Sequence, residues 1–235
     1  MKIACFGDSL TFGAMGYSYI KYLNPAYTVV NKGVNGDTTI CAAERLRRYI
    51  EAHGDVDVYV VAIGTNDLLL PYLTTVSPLW RMQMGPRVSM KKCISDDALF
   101  ESEYRKILEL VQSRGKTAIA VGLPLLQLEG YPNERGQKRN LIIKKLAADH
   151  GVFFVDAALL QRQAVQSISF SYSWKHKNLV RIADGAVMLL FPFSKDWFSK
   201  LRRLELTVDG AHFNSRSARV IGEAVNGFIA RKYGS

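Results

Sequence analysis

Five short apolar runs alternate with segments of helical periodicity, and this alternation constrains the fold more than any other feature of the chain. Ile3 to Phe6, Tyr27 to Val30, Val56 to Ile63, Thr117 to Val121 and Val152 to Val155 are rich in β-branched or aromatic residues. Each ends near Gly, Asn or Asp, as strands do. Their apolarity is continuous, which predicts strands buried on both faces of a parallel sheet. Between them, Ala42, Leu46 and Ile50 share one helical face, and Phe100, Tyr104, Ile107, Leu108 and Val111 share another. Leu141, Ile142, Lys145 and Leu146 mark a third helix that Gly151 can stop. A last helix is expected to begin near Asn214 or Ser215, good capping residues, and to bury Ile221, Val225 and Phe228. Strands alternating with helices predict an α/β, doubly wound, three-layer α/β/α architecture on a five-stranded parallel sheet. Its ligands belong in the crevice beyond the carboxyl ends of the strands.

Two stretches do not fit the alternation. Residues 68–98 and 165–205 read as extended, irregular loops, and they hold all three tryptophans, Trp80, Trp174 and Trp197. The first also carries Met82, Met84 and Met90. Long connections of this kind serve as lids or binding loops, or they extend the core or form a dimer contact. Trp80 and Trp197 are the residues expected to line an acyl pocket. With no linker, repeat or charge block in 235 residues, the chain is expected to be one domain, 1–235, with these two insertions.

A net charge of +10 would attract anionic substrates or an anionic membrane surface, and peripheral contact with such a surface is an expected partner interaction. No nucleic-acid-binding signature accompanies the charge, so nucleic acid is not an expected partner. The three cysteines, Cys5, Cys41 and Cys93, have no metal-ligand spacing. They suggest a reduced chain, and Met1-Lys2 runs straight into the first strand; both observations lead to an expected cytoplasmic location.

The chemistry lies at strand ends. Gly7-Asp8-Ser9-Leu10 follows the first strand, where the amino end of the next helix offers backbone N–H groups to an oxyanion. Asp209-Gly210-Ala211-His212 precedes the last helix. On one tight turn the carboxylate can accept the imidazole Nδ1–H and leave Nε2 facing outward as a base, which a serine hydroxyl requires. Asn35-Gly36-Asp37-Thr38 and Gly64-Thr65-Asn66-Asp67 follow the second and third strands. Ser9, Gly36 and Asn66 therefore converge on one sheet edge, supplying a nucleophile, a backbone donor and an amide donor.

Each block alone also makes ordinary turns and caps. Together and in this order, GDSL at 7–10, NGDT at 35–38, GTND at 64–67 and DGAH at 209–212 resemble the four blocks of the GDSL/SGNH hydrolase family. The resemblance implies a flavodoxin-like SGNH hydrolase fold, with Ser9 as nucleophile, His212 as base and then acid, and Asp209 as its orienting partner. It implies an oxyanion hole of Ser9 N–H, Gly36 N–H and the Asn66 amide, supporting roles for Asp8 and Asp67, and no metal or organic cofactor. Two departures concern the substrate: the extended segments, and Phe213 where the family often has proline. The expected activity is a serine esterase or lipase-type acylhydrolase acting on small or lipid-like esters. A carbohydrate O-deacetylase on the same scaffold is the alternative, and a non-catalytic flavodoxin-like ligand-binding module is the reading from another class.

Overall fold

The computed structural model describes residues 1–234, with residues 178 and 179 as backbone alone. Five parallel strands, β1 (Lys2–Gly7), β2 (Thr28–Gly33), β3 (Val58–Ala62), β4 (Thr117–Val121) and β5 (Phe153–Val155), stand in the order β2-β1-β3-β4-β5. The five apolar runs are these strands, with β2 extended through Gly33, three residues beyond its apolar run.

Period-two geometry splits the side chains of each central strand between two cores. Ala4, Phe6, Tyr59, Val61, Ala118 and Ala120 face one side. There they meet α2 (Thr39–Ala52), α5 (Asp97–Gln112) and α6 (Asn133–Asp149). Ile3, Cys5, Val58, Val60, Ile119 and Val121 face the other, packing on α10 (Ser215–Tyr233) and a 3-10 turn at Tyr19–Tyr22. Each fully buried Leu, Ile or Phe in these layers contributes roughly 1.5–3 kcal/mol. The Asn214 side chain caps α10 by accepting the Ser217 N–H, and Ile221 and Val225 are buried. The third expected helix is α6, and its buried face includes a charge. Leu141 is exposed, while Ile143, Leu146 and Ala147 are buried beside Arg139. Arg139 can be buried because it bonds Asp97 and the Ile94 carbonyl and lies over the Phe100 ring.

The two segments outside the alternation are largely helical, where loops were expected. The GTND block is itself the first turn of α3 (Thr65–Val76), followed by α4 (Pro78–Met90), whose Ser77 cap and leading proline favour a helix start. In the second segment, a short α7 (Ala157–Gln163) and an irregular stretch lead to α8 (Asn178–Leu190) and α9 (Ser194–Leu201). No described helix is long and apolar enough to cross a membrane.

The strand order reverses between β1 and β3: the chain moves outward from β1 to β2, then returns past β1 to β3. In open α/β sheets this switch point opens a crevice at the carboxyl edge. Ser9 lies just beyond β1, at the first position of α1 (Ser9–Phe12), and Asn66 lies beyond β3.

Candidate active site

The DGAH turn is locked from several directions. Gly210 has φ +92°, and a Cβ there would meet Leu128 and Tyr172 side chains at 2.5 and 2.9 Å, so glycine is required. Gln127, fully buried, accepts from the Leu206 and Thr207 N–H groups, and its own N–H donates to the Gly210 carbonyl at 2.8 Å. The turn presents Asp209 and His212 together. Asp209 Oδ2 lies 2.9 Å from His212 Nδ1, and its Oδ1 accepts the His212 and Ala211 N–H groups at 2.8 and 3.1 Å. His212 Nε2 lies 3.1 Å from Ser9 Oγ, across 203 residues of sequence. The Asp209 contact assigns the Nδ1–H tautomer, which leaves Nε2 as the acceptor facing the hydroxyl. Burial opposes ionisation of Asp209, but His212 and Arg181 outweigh it and hold the carboxyl well below the usual range.

Three donors were expected near Ser9: its own N–H, the Gly36 N–H and the Asn66 amide. Ser9, as the first residue of α1, has no intrahelical acceptor for its N–H. Gly36 has φ +70°, and a Cβ there would meet nothing within 4 Å, so its surroundings are open. Asn66 is buried, and its Nδ2 donates to the Asp37 carbonyl at 3.0 Å. Arg45 in turn fixes Asp37 through Nε and Nη2, at 2.9 and 2.6 Å.

Asp67 is a structural clamp. Its Oδ2 accepts the Thr39 N–H and hydroxyl, and its Oδ1 accepts the Ile94 N–H, so one carboxylate ties α3 to the start of α2 and to the end of the first segment. Asp8 caps α1 by accepting the Leu10 N–H at 2.9 Å, while its Oδ2 is buried without a partner. Burial pushes its carboxyl up to about 7; the Leu10 N–H and His212 oppose this, and Asp37 and Asp67 reinforce it. An unfolded aspartate ionises near 4. Between about 4 and 7 the folded chain therefore binds more protons than the unfolded one, and stability falls as pH rises through that window. Asp8→Asn keeps the cap acceptor and removes the titration. It is expected to be more stable than wild type at pH 8, by at most about 4 kcal/mol, and equal to it below pH 4. Urea denaturation at both pH values tests this, and an equal difference at both would show that the Asp8 carboxyl does not titrate there.

Trp80 and Trp197, expected to line an acyl pocket, lie in different surroundings. Trp80 and Trp174 are both buried and stack at 5.5 Å between ring centroids. Trp80 Nε1 donates to the Trp174 carbonyl, and Trp174 Nε1 donates to the Asp209 carbonyl at 2.6 Å. The pair braces the triad turn. Trp80 also borders a cleft of about 580 Å³ between α4 and α8, with Met15, Gln83, Met84, Arg87 and Arg181. Trp197 is 57% exposed, edge-on to Phe198, and does not line that cleft. Phe213 is buried in the core beneath α10, and its carbonyl accepts the Tyr17 N–H.

One residue of the site escaped the sequence reading. Arg181, on α8, donates from Nη1 to Asp209 Oδ2 at 2.9 Å, and its guanidinium lies 3.1 Å from the Trp174 ring centroid. Arg181 and Asp184 are the only charged residues between 178 and 193, and in the sequence such isolated charges read as a solvated face, so nothing there pointed to the site. Asp184 pairs with Arg202 at 2.5 Å.

Solved structures with the same fold include a carbohydrate acetylesterase from Sinorhizobium meliloti (16% identity, 99% of each chain, TM-score 0.60). An aryl esterase from M. smegmatis (15%, 98% of each chain, 0.59) also matches. So does an acetylxylan esterase from Geobacillus stearothermophilus (18%, 99% of this chain and 94% of that one, 0.57). At these identities the likeness is one of fold. No curated protein matches the sequence. The profile of the GDSL-like lipase/acylhydrolase family matches residues 5–175. With the five-stranded parallel sheet and its helices on both faces, that match places the chain in the GDSL-like lipase/acylhydrolase family.

Proposed function

We propose that this chain hydrolyses carboxylic esters by two-step acyl transfer through Ser9. The observation that carries the reading is the continuous path from Asp209 Oδ2 to His212 Nδ1 and from His212 Nε2 to Ser9 Oγ, at 2.9 and 3.1 Å. Ser9 Oγ attacks the ester carbonyl as its proton passes to His212 Nε2. The negative charge on the carbonyl oxygen is met by the N–H groups of Ser9 and Gly36 and by the Asn66 amide. The alcohol departs with the proton from His212, and water releases the acyl group by the same route, restoring Ser9. Asp8 and Asp67 support the site from beneath, as a helix cap and as a clamp. The unit that does this is one domain, with α4, α8 and α9 as its additions.

The substrate reading is a short acyl group, such as acetyl, on a polar alcohol such as a sugar. The cleft, which reaches the triad through Arg181, supports it by mixing Gln83 and Arg87 with Met15, Trp80 and Met84, a lining suited to a group with both hydroxyls and an apolar face. The likeness to carbohydrate acetylesterases supports it too. A longer acyl chain is the second reading, favoured by Met15, Met84 and Ile182 in the same cleft. A panel of p-nitrophenyl esters from acetate to palmitate, run beside acetylated sugars, separates them. The first reading expects kcat/KM to be highest for acetyl esters; a rise toward medium chains would replace it with the second.

Arg181 holds Asp209 at Oδ2, the oxygen that also meets the imidazole. Arg181→Met leaves the buried carboxylate without this charged donor and should lower kcat/KM by about tenfold or more, with Arg181→Lys returning part of the loss. Activity of Arg181→Met equal to wild type would mean that Arg181 only packs against Trp174.

A further inference from the structure

The hairpin of α8 and α9 has its polarity reversed relative to a water-facing helix pair. Its charged groups turn inward: Arg181 to Asp209, Asp184 to Arg202, and the Lys195 ammonium to the Gly13 and Gly16 carbonyls. Asp196 turns to the Ser215 N–H. The two helices pack on each other through Met188 and Phe198. Apart from Lys200, what remains outward is apolar. Ile182, Leu189, Leu190, Phe191 and Phe193 are exposed, Leu190 at 73% and Phe193 at 80%. Trp197 and Leu201 follow on α9, also exposed. Isolated exposed apolar residues need no explanation, but a run of this size marks a surface that something covers.

The charges beside the run select the cover. Lys175 ahead of α8, and Lys200 and Arg203 at the end of α9, are exposed. Among the described residues from 170 to 204 there is no exposed carboxylate, because Asp184 and Asp196 are the only acidic residues and both are engaged inward. A second copy of the chain would bring the same cations against these, whereas an anionic bilayer supplies hydrocarbon for the Leu and Phe side chains and phosphate charge for the rim. Phe, Leu and Trp set beside Lys and Arg are the composition that rests at a headgroup boundary. We propose that the α8–α9 hairpin docks the protein on anionic lipid surfaces, with Leu190, Phe191 and Phe193 entering the acyl boundary and Lys200 and Arg203 on the headgroups.

This proposal does not rest on the esterase reading, and its test reads binding alone. Sedimentation with vesicles of phosphatidylcholine, with and without phosphatidylglycerol, gives the partition coefficient. The full chain is expected to bind the anionic vesicles at least about tenfold more strongly than the neutral ones, and less strongly as salt is raised. Leu190→Ser with Phe193→Ser should lower binding about tenfold or more, as should Lys200→Glu with Arg203→Glu. All four positions are exposed, and circular dichroism of each variant checks the fold. Equal or absent binding of the unaltered protein to the two vesicle types would overturn the proposal without recourse to any variant. A dimer in light scattering that Leu190→Ser with Phe193→Ser converts to monomer would overturn it in favour of a second copy.

Discussion

Ser9→Ala should lower ester turnover by at least about 10,000-fold while leaving the fold intact. The hydroxyl is partly exposed at the start of a four-residue helix, so its loss removes little packing. What it removes is the nucleophile. His212→Ala should cost a similar factor, because Ser9 Oγ has no other base within hydrogen-bonding distance among the described residues. The double variant should be no worse than either single one, since a nucleophile and its base act as one unit. A fluorophosphonate probe should label wild type at Ser9 and fail to label Ser9→Ala. Turnover near wild type in a folded Ser9→Ala protein would defeat the mechanism, and additive losses in the double variant would show that the two residues act separately.

The proposed triad was legible in the sequence, because each of its groups sits in a short local motif whose place in the fold follows from one strand or one helix start. GDSL follows β1, GTND opens α3 and DGAH precedes a capped helix, so reading the elements fixed where the side chains would meet. The second long segment was not legible for a physical reason. Sequence rules place apolar residues inward and charges outward, whereas α8 turns Arg181 and Asp184 in and leaves Ile182, Leu189 and Leu190 out. Helix α6 breaks the same rules on a smaller scale: Arg139 is buried because Asp97 and the Phe100 ring receive it, while Leu141 faces solvent. Trp174 and Gln127 brace the triad turn through backbone contacts, and such contacts leave no pattern in residue type or spacing.

Asn66→Ala is expected to lower kcat by about 100- to 1,000-fold with KM nearly unchanged. Asn66 stands at the second position of α3, directly beyond β3 and beside the switch point that also delivers Ser9. One Nδ2 hydrogen is committed to the Asp37 carbonyl, which orients the amide; the second has no acceptor among the described residues. A donor held this way meets a tetrahedral oxyanion with little reorganisation, whereas it gains less from the flatter, less charged ester carbonyl. The loss should therefore fall on kcat. The alanine variant also strips the Asp37 carbonyl of its donor and could loosen the Gly36 turn, so Asn66→Asp serves as the companion. It keeps the shape but, ionised, replaces the N–H donor with a carboxylate that repels the developing charge, and it should be at least as damaging as alanine. Thermal denaturation of both variants separates a loosened turn from a lost donor. A loss confined to KM, or an aspartate variant that restores kcat, would show that Asn66 holds the substrate or the loop and does not stabilise the transition state.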